Sequence, residues 1–525
     1  MNQNDLKSTG LRLLRKGQKG LVHALFSRLG LFLVLLVMEV LLVLSAFRWF
    51  AGLLPHFIGG AALFSAVMVL YLLNTRMDAT AKITWLVIIM SAPGAGALLF
   101  WLVRSDLGHR AEKARVAQMI GLTRDTLPPQ PEAFAALEEE NPGAASLARY
   151  VGRTGCQPVY QNTEVTYFPL GQDKWERLLT ELEQAEKFIF LEYFIIDEGV
   201  MWGRILEILA RKAKEGVDVR VMYDGTCEFS TLPHDYPRRL AKLGIKCKAF
   251  APVVPLVSTH YNYRDHRKIL VIDGHTAFNG GVNLADEYIN RIEKYGYWKD
   301  TAVMLKGEAA RSFTLMFLQM WNVTEQPPQF GDFCAAPVPA RGAPGFVMPF
   351  GDCPLDEDKV GEQVYMDILN RATRYVHIMT PYLILDGEMQ SALEFAARRG
   401  VDVRIMLPGV PDKTAPYALA KTHYAALLDA GVKLYEYTPG FVHAKVFVAD
   451  GREAVVGTIN LDYRSLYHHF ECATWMYGVE CIADIEADFE STLAQCRAVE
   501  KGTIWQNARR LRLLGPVLKV VAPLM

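Results

Sequence analysis

Two histidine–lysine pairs recur in this sequence with the same residues after them. His266 and Lys268 are followed at fixed offsets by Asp273, Gly281 and Asn283. The second copy consists of His443, Lys445, Asp450, Thr458 and Asn460. Both pairs fall in alternating, strand-like sequence, and side chains at i and i+2 of a strand share a face. Each copy is therefore predicted to present an imidazole and an ammonium group side by side.

This combination suits a phosphodiester. A lysine neutralises the phosphate oxygens, while a histidine attacks phosphorus or moves a proton near neutral pH. Phosphoryl transfer depends mainly on positioning and charge neutralisation, to which Asn283 and Asn460 add neutral donors. If the two copies face each other, one histidine acts as nucleophile and the other as acid and base. Because two lysines supply the charge, we expect no metal and no other cofactor.

A nucleophilic histidine needs an acid on its other ring nitrogen to fix the tautomer. Asp300 and Glu471 stand at corresponding positions after the two motifs and are the candidates. Asp273 and Asp450 each precede a glycine at a predicted hairpin turn, where capping the turn is favoured over proton transfer. The remaining histidines are interpreted as structural, among them His260, His468 and His469.

The surrounding sequence is duplicated. Residues 188–196 form an apolar run typical of a buried strand, 201–214 have helical spacing, and 217–223 form a second strand, which is a crossover unit of a parallel sheet. Residues 399–406 nearly repeat 215–222. The sequence predicts an α/β protein with two duplicated lobes built on mixed or parallel sheets.

Three apolar segments precede the lobes, at 29–47, 57–73 and 83–103. Each approaches the ~20 residues that cross a bilayer, so N-terminal transmembrane helices are expected. The basic residues before the first segment favour a cytoplasmic N-terminus. Pro93 and Gly94 interrupt the third segment, which leaves open whether it crosses or turns back as a hairpin, and so which side the lobes face.

The expected domain organisation follows from these patterns. It comprises a basic cytoplasmic N-terminus (1–28), a membrane region (29–105), a connector (106–150), lobe 1 (151–328), a linker (329–350), lobe 2 (351–505) and an amphipathic C-terminal segment (506–525). That last segment mixes basic and apolar residues, which suits either an anionic membrane surface or a packed terminal helix. The near-neutral net charge of −1 gives no sign of a nucleic-acid partner. The eight cysteines form no C-x-x-C pair, which argues against a zinc site or a disulfide framework.

Both copies match H-x-K-x4-D-x6-G-[GST]-x-N, and the sequence resembles the phospholipase D superfamily. Within that superfamily it is most similar to bacterial cardiolipin synthases. The segments that carry this likeness are 262–268, 279–283, 297–300, 380–382, 441–445 and 457–462. The resemblance implies that His266, Lys268, Asp273, His443, Lys445 and Asp450 are catalytic. It also implies that one phosphatidylglycerol gives its phosphatidyl group, through a phosphatidyl-histidine, to a second one.

The resemblance assigns the nucleophile to His266 and the acid/base role to His443, although the symmetry of the motifs allows the reverse. It implies phosphatidylglycerol, cardiolipin and the bilayer as partners, and a multi-pass protein of the bacterial inner membrane with its lobes on the cytoplasmic side. The oligomeric state stays open. Three alternatives remain: a membrane phospholipase D that hydrolyses lipids, a nuclease of the same superfamily, and a non-enzymatic membrane scaffold. The hydrolytic phospholipase D would share every catalytic residue, and the nuclease would be short and soluble. The scaffold predicts loss of a motif residue, and neither copy has lost one.

Overall fold

The structure is a computed structural model that describes residues 58–92, 94–105, 110–155, 157–252, 263–334, 342–506 and 508–524, together with Leu11, Leu13 and Ser45. The apolar segment expected at 29–47 therefore lies outside the described residues, apart from Ser45, as does most of the basic segment 1–28.

Helices and strands alternate through both halves of the chain. The helices are α1 (Ile58–Asn74), α2 (Ala79–Ser91), α3 (Ala95–Ser105), α4 (Arg110–Leu122), α5 (Pro131–Glu140), α6 (Pro142–Thr154), α7 (Gly171–Glu183), α8 (Val200–Lys214), α9 (Cys227–Ser230), α10 (Tyr236–Ala241), α11 (Ala310–Trp321), α12 (Gly331–Cys334), α13 (Val360–Arg371), α14 (Gly387–Arg398), α15 (Thr414–Ala430), α16 (Tyr463–Tyr467), α17 (Ile482–Leu493) and α18 (Leu514–Val521). The strands are β1 (Glu164–Phe168), β2 (Phe188–Tyr193), β3 (Asp218–Asp224), β4 (Lys246–Phe250), β5 (Arg264–Asp265), β6 (Lys268–Ile272), β7 (Thr276–Gly280), β8 (Tyr297–Lys299), β9 (Ala302–Lys306), β10 (Phe346–Asp352), β11 (Tyr375–Met379), β12 (Asp402–Pro408), β13 (Lys433–Tyr437), β14 (Gly440–Val442), β15 (Val446–Ala449), β16 (Glu453–Gly457), β17 (His469–Tyr477) and β18 (Cys496–Ala498).

The first lobe is a mixed sheet of seven strands in the order β1-β9-β7-β6-β2-β3-β4. Strands β2, β3 and β4 run parallel, and the other neighbours are antiparallel. Every residue of β2 is buried, as a strand covered on both faces requires. Helix α8 joins β2 to β3 as a right-sized crossover for parallel strands.

The second lobe repeats this plan in the order β10-β17-β16-β15-β11-β12-β13-β18. Strands β11, β12 and β13 are its parallel strands, and β15 and β16 form its antiparallel hairpin. The prediction of an α/β protein with two duplicated lobes and mixed sheets is confirmed.

The lobes exchange strands beside both motifs. Strand β5 of the first half pairs in parallel with β17 of the second sheet, and β8 pairs in parallel with β14. The backbone N–H of His266 donates to the Phe470 carbonyl at 2.9 Å, and that of His443 donates to the Lys299 carbonyl at 2.7 Å. Helix α11, buried along its whole length, packs between the two sheets. The two motifs are thereby held against each other by backbone contacts.

The third apolar segment is interrupted where the sequence has Pro93 and Gly94. Helix α2 ends at Ser91, α3 begins at Ala95, and Gly94 has a φ of +81° that suits glycine. The two helices then pack together: the rings of Trp85 and Phe100 lie 5.1 Å apart. Of the two readings of this segment, the structure shows the helical hairpin rather than one continuous helix. No helix in the described part of the chain is both long and apolar enough to cross a bilayer.

The C-terminal helix α18 packs on the second lobe and on this hairpin. The Thr84 hydroxyl donates to the Val520 carbonyl at 2.5 Å, and Ala522 is buried against Leu419 of α15. Leu513 and Val517 remain exposed at 85% and 67%. The segment is therefore a packed terminal helix that also presents an apolar surface.

Candidate active site

The two histidine–lysine pairs lie where the lobes meet. His266 lies between β5 and β6, Lys268 begins β6, and His443 and Lys445 lie between β14 and β15. All four are buried. The Lys268 ammonium donates to the His266 carbonyl at 2.5 Å, and Lys445 makes the same bond to the His443 carbonyl. Each lysine ammonium therefore lies against the backbone of its own histidine, and both histidines lie just outside the strands in which the sequence pattern placed them.

Each histidine is held by an acid from the opposite lobe. The Nδ1 atom of His266 lies 2.9 Å from both carboxylate oxygens of Glu471, and the Nδ1 atom of His443 lies 2.7 Å from Asp300. Both acids are fully buried. With Nδ1–H donated to a carboxylate, Nε2 is the ring nitrogen left for a substrate in each case. The structure thus pairs both predicted acids with the predicted histidines, but crosswise between lobes.

Burial sets the protonation of the site. It lowers the pKa of His266 well below the usual value, and the Glu471 carboxylate offsets only part of that effect. It lowers the pKa of His443 to about 4, with help from Lys445. Both imidazoles are neutral near pH 7 in the free protein. Burial would raise the pKa of Glu471, but the contact of its carboxylate with His266 outweighs burial and holds that pKa well below the ordinary range, so Glu471 stays ionised.

The lysines act on each other and on the facing histidine. Burial lowers the pKa of Lys268 to about 8 and that of Lys445 to about 7. The charge of Lys268 contributes to the lowered pKa of both His443 and Lys445. The two motifs therefore form one electrostatic site rather than two separate ones. Two positive charges held together away from water repel each other, and an anion bound between them would stabilise both.

Gly281 and Thr458 support the two acids. A Cβ atom on Gly281 would lie 2.1 Å from a carboxylate oxygen of Asp300, so only glycine lets this acid approach His443. The Thr458 hydroxyl donates to the Glu471 carboxylate and accepts from the Cys472 N–H at 3.0 Å. The two residues occupy equivalent motif positions, and both act through the acid that holds the opposite lobe's histidine.

The two motif asparagines make local bonds. The Asn283 amide donates to the Tyr288 hydroxyl at 2.7 Å and accepts from the Ile195 N–H at 3.0 Å. The Asn460 amide lies 3.4 Å from Asp462, and its carbonyl oxygen has no hydrogen-bond partner among the described residues. Asn283 is thus engaged in holding a loop, while Asn460 retains an unused acceptor.

The two motif aspartates bind backbone at the other end of their strands. Asp273 accepts from the N–H groups of Glu186, Lys187 and Phe188 at 2.7–2.8 Å. Asp450 makes the same bonds to the N–H groups of residues 373–375. Both have left-handed backbone, with φ of +53°. These contacts agree with the turn-capping interpretation, and the structure does not bring either carboxylate to the histidine–lysine pairs.

Removing the Asp273 carboxylate is expected to destabilise the first lobe without disabling the chemistry. Asp273→Ala leaves three backbone donors without their acceptor and should lower the free energy of unfolding by about 2–3 kcal/mol. Asp273→Asn keeps one acceptor oxygen and the tolerance for left-handed backbone, and should lose less. The thermal unfolding midpoint measures both changes. Loss of activity in Asp273→Asn with an unchanged midpoint would instead place this residue in the reaction.

Sequence reasoning missed the groups that enclose the histidines. The ring of His469 lies 5.2 Å from that of His266, and Phe194 lies 5.0 Å from it. The rings of Trp298 and Tyr288 each lie 5.4 Å from that of His443. The interpretation of His469 as purely structural overlooked this position, and only its place two residues before Glu471 in a strand hinted at it.

Among the described residues, three groups of side chains could hold a metal. They are His266 with His469 and Glu471, His377 with Glu486 and Glu490, and Glu362 with Asp386 and Glu388. In the first group, the facing atoms of His266 and Glu471 already share a hydrogen bond. Binding a cation there would break the contact that orients the imidazole.

Comparison with known proteins agrees with this geometry. The family described as "Cardiolipin synthase, PLD-like domain" matches residues 178–321 and 365–493. A cardiolipin synthase of Geobacillus kaustophilus is 31% identical over 94% of this chain and 98% of its own length. An uncharacterized protein of Streptococcus mutans is 57% identical over 87% of this chain and 99% of its own length.

A solved structure shows the same fold at low identity. The phosphatidylserine synthase of Haemophilus influenzae superposes with a TM-score of 0.55 and 13% identity, covering 73% of this chain and all of that one. With the family match covering both lobes and both motifs, the chain belongs to the cardiolipin synthase family of phospholipase D-like proteins.

Proposed function

We propose that this protein is a phosphatidyltransferase that makes cardiolipin. It transfers the phosphatidyl group of one phosphatidylglycerol to the free glycerol hydroxyl of a second and releases glycerol. The cardiolipin synthase relatives support the substrate class. The observation that carries the mechanism is the crosswise pairing of His266 with Glu471 and His443 with Asp300. It leaves two Nε2 atoms available beside two buried lysines.

The first step forms the intermediate. The neutral His266 uses its Nε2 lone pair to attack phosphorus, and the bond from phosphorus to the glycerol headgroup oxygen breaks. His443, protonated when the anionic phosphodiester is bound, gives its Nε2 proton to that oxygen and glycerol leaves. Lys268 and Lys445 neutralise the non-bridging oxygens, and Glu471 stabilises the positive charge on His266.

The second step reverses these roles. His443, now neutral, takes the proton of the second lipid's glycerol hydroxyl. The alkoxide oxygen attacks phosphorus, the phosphorus–nitrogen bond breaks, and His266 returns to its neutral form. Two phosphatidylglycerols have then become one cardiolipin and one glycerol, with no net change of protons on the protein.

A lipid must outcompete water in the second step, which favours a site at a bilayer surface. The apolar side chains of α1 that face solvent, among them Leu63, Val67 and Leu70, suit such a setting. We extend the proposal to a multi-pass protein of the bacterial inner membrane, with 29–47 as a crossing segment and the lobes on the cytoplasmic side. Insertion of a reporter into the 110–130 region tests which side the lobes face.

The proposed reaction is tested with purified protein in phosphatidylglycerol vesicles. We expect cardiolipin and glycerol in equal amounts. Phosphatidate in place of cardiolipin would establish the hydrolytic alternative, and no product of either kind would establish the scaffold. A vesicle of phosphatidylcholine, which lacks a free headgroup hydroxyl, is the matched control for the acceptor.

The pH dependence of the activity is expected to show the loss of charge on Lys268 and Lys445. A lysine is charged below its pKa, so Lys445 and Lys268 lose their charge as the pH rises through about 7 and about 8. We expect the fall of kcat/KM, which reports the free protein and already includes loss of the His443 proton, to steepen above about pH 7, while kcat falls at higher pH because bound phosphate stabilises the charged form. Lys445→Arg cannot lose its proton and should move the alkaline limb upward at reduced activity. An unmoved limb would exclude Lys445 as its source.

A further inference from the structure

A large cavity is lined in part by His469, whose ring lies 5.2 Å from that of His266. Its volume is about 800 Å³, within the range of ligand sites in proteins. One wall comes from the α2–α3 hairpin and the C-terminus; its apolar part consists of Trp85, Phe100, Val103 and Leu524, with Arg104 at its side. The other wall comes from the second lobe and is polar. A cavity with apolar side chains on one wall and polar side chains on the other suits an amphiphile.

His469 lies in the polar wall, next to the proposed nucleophile. It is only 6% exposed, and neither of its ring nitrogens has a hydrogen-bond partner in the described part of the chain. Its Nδ1 atom lies 3.5 Å from Glu471, beyond a good hydrogen bond. A buried imidazole without partners costs free energy unless a ligand satisfies it. The cavity it lines is where such a ligand has room.

The hairpin connects this cavity to an apolar exterior. Trp85 of α2 is buried and lines the cavity, whereas Ile83, Val87 and Met90 of the same helix are exposed. One helix therefore lines the cavity with one face and presents large apolar side chains to the surroundings with the other. Acyl chains that enter the cavity from a bilayer surface would stay in apolar surroundings.

We propose that this cavity holds the diacylglycerol part of the phosphatidyl group while that group is bonded to His266. His469 donates to an ester or phosphate oxygen of the lipid's glycerol backbone, and the first part of the acyl chains lies against Trp85, Phe100 and Val103. The proposal rests on the proposed function, because it takes His266 as the residue that carries the phosphatidyl group. It identifies the donor lipid, rather than the acceptor, as the occupant.

Filling the apolar wall tests the proposal. Val103→Trp and Leu524→Trp each reduce the space from a different element, so a folding fault in one does not decide the result. For glycerol release, we expect kcat/KM with dioctanoyl phosphatidylglycerol to fall at least about tenfold, while kcat/KM with dibutyryl phosphatidylglycerol stays within about twofold. Thr414→Trp, in a separate cavity of about 480 Å³, is the matched control and should change neither lipid. Equal losses for both lipids, or no loss, would overturn the proposal.

The polar wall gives a contrasting result. His469→Phe removes the donor that meets the glycerol backbone common to both lipids, so both should lose kcat/KM to the same extent. His469→Asn retains an N–H donor and should recover most of it. If His469→Phe leaves glycerol release unchanged with both lipids, His469 does not contact the donor.

A readout without turnover separates this proposal from the proposed function. Wild-type protein that releases no glycerol from phosphatidylglycerol would refute the function. Phosphatidylglycerol with a photoreactive diazirine in its acyl chains then still tests the cavity, since crosslinks should fall on peptides that contain Trp85 or Val103. Crosslinks confined to the peptide that contains Thr414 would overturn the cavity assignment.

Discussion

Replacing His266 with alanine is expected to abolish cardiolipin formation, with a loss of about 10³–10⁶-fold. The reason is that Nε2 of this residue is the proposed nucleophile, and the other motif histidine, His443, is already needed as the acid and base. Cardiolipin and glycerol formed from phosphatidylglycerol vesicles measure the effect. Activity equal to that of the unsubstituted protein would disprove the mechanism.

His377→Ala is the matched control. Like His266, His377 is buried and bonds through Nδ1 to a carboxylate, that of Glu486 at 2.8 Å. It belongs to β11 and its ring stacks on Phe489 rather than on a motif histidine. We expect this variant to alter stability and to keep the activity of its folded fraction. The comparison separates the loss of a catalytic imidazole from the loss of a buried one.

A substrate with a better leaving group distinguishes the nucleophilic histidine from the histidine that acts as acid. His443→Ala should also lose most of the activity with phosphatidylglycerol, because glycerol is a poor leaving group without a proton. A phosphatidyl ester of p-nitrophenol needs no protonation, so His443→Ala should recover release of p-nitrophenolate and accumulate the phosphatidyl-protein. His266→Ala should not recover. The opposite pattern would exchange the two roles, which the symmetry of the motifs allows.

The sequence predicted the motif residues and the lobes because those depend on local spacing. An imidazole and an ammonium two residues apart on a strand must share a face, and a repeated strand–helix–strand pattern must repeat the sheet. Asp300 and Glu471 could also be predicted, because they are acids at equivalent positions after the two motifs. Their crosswise pairing could not be predicted, because nothing in the order of residues says that β5 joins the second sheet or that β8 joins β14.

Other features of the site could not be predicted from the sequence, because they also depend on how distant segments pack together. His469 is brought against His266 by the way β17 packs beside β5, and its position two residues before Glu471 was the one sequence signal for this. The cavity is formed by the hairpin, the C-terminus and the second lobe, which are far apart in the chain. The hairpin itself was within reach, since Pro93 and Gly94 marked where the apolar segment breaks.

Glu471→Gln is expected to lower glycerol release by about 10²–10⁴-fold. The carboxylate fixes the Nδ1–H tautomer of His266 and stabilises the positive charge that develops on it. An uncharged amide in the same place can accept the same hydrogen bond but supplies no charge. Thr458 holds the oxygen on the other side, so the side chain has little freedom to relax. The thermal unfolding midpoint provides the control for folding.

The lobe to which each acid belongs makes this prediction decisive. Glu471 lies in the same half of the sequence as His443, yet it contacts His266, while Asp300 of the first half contacts His443. Substitution of each acid should therefore have the same effect as substitution of the histidine that it contacts in the other lobe. With the p-nitrophenol ester, Asp300→Asn should recover activity as His443→Ala does, and Glu471→Gln should remain slow as His266→Ala does. Recovery of Glu471→Gln would mean that the acid serves the histidine of its own lobe, and the crosswise site would not be the one that reacts.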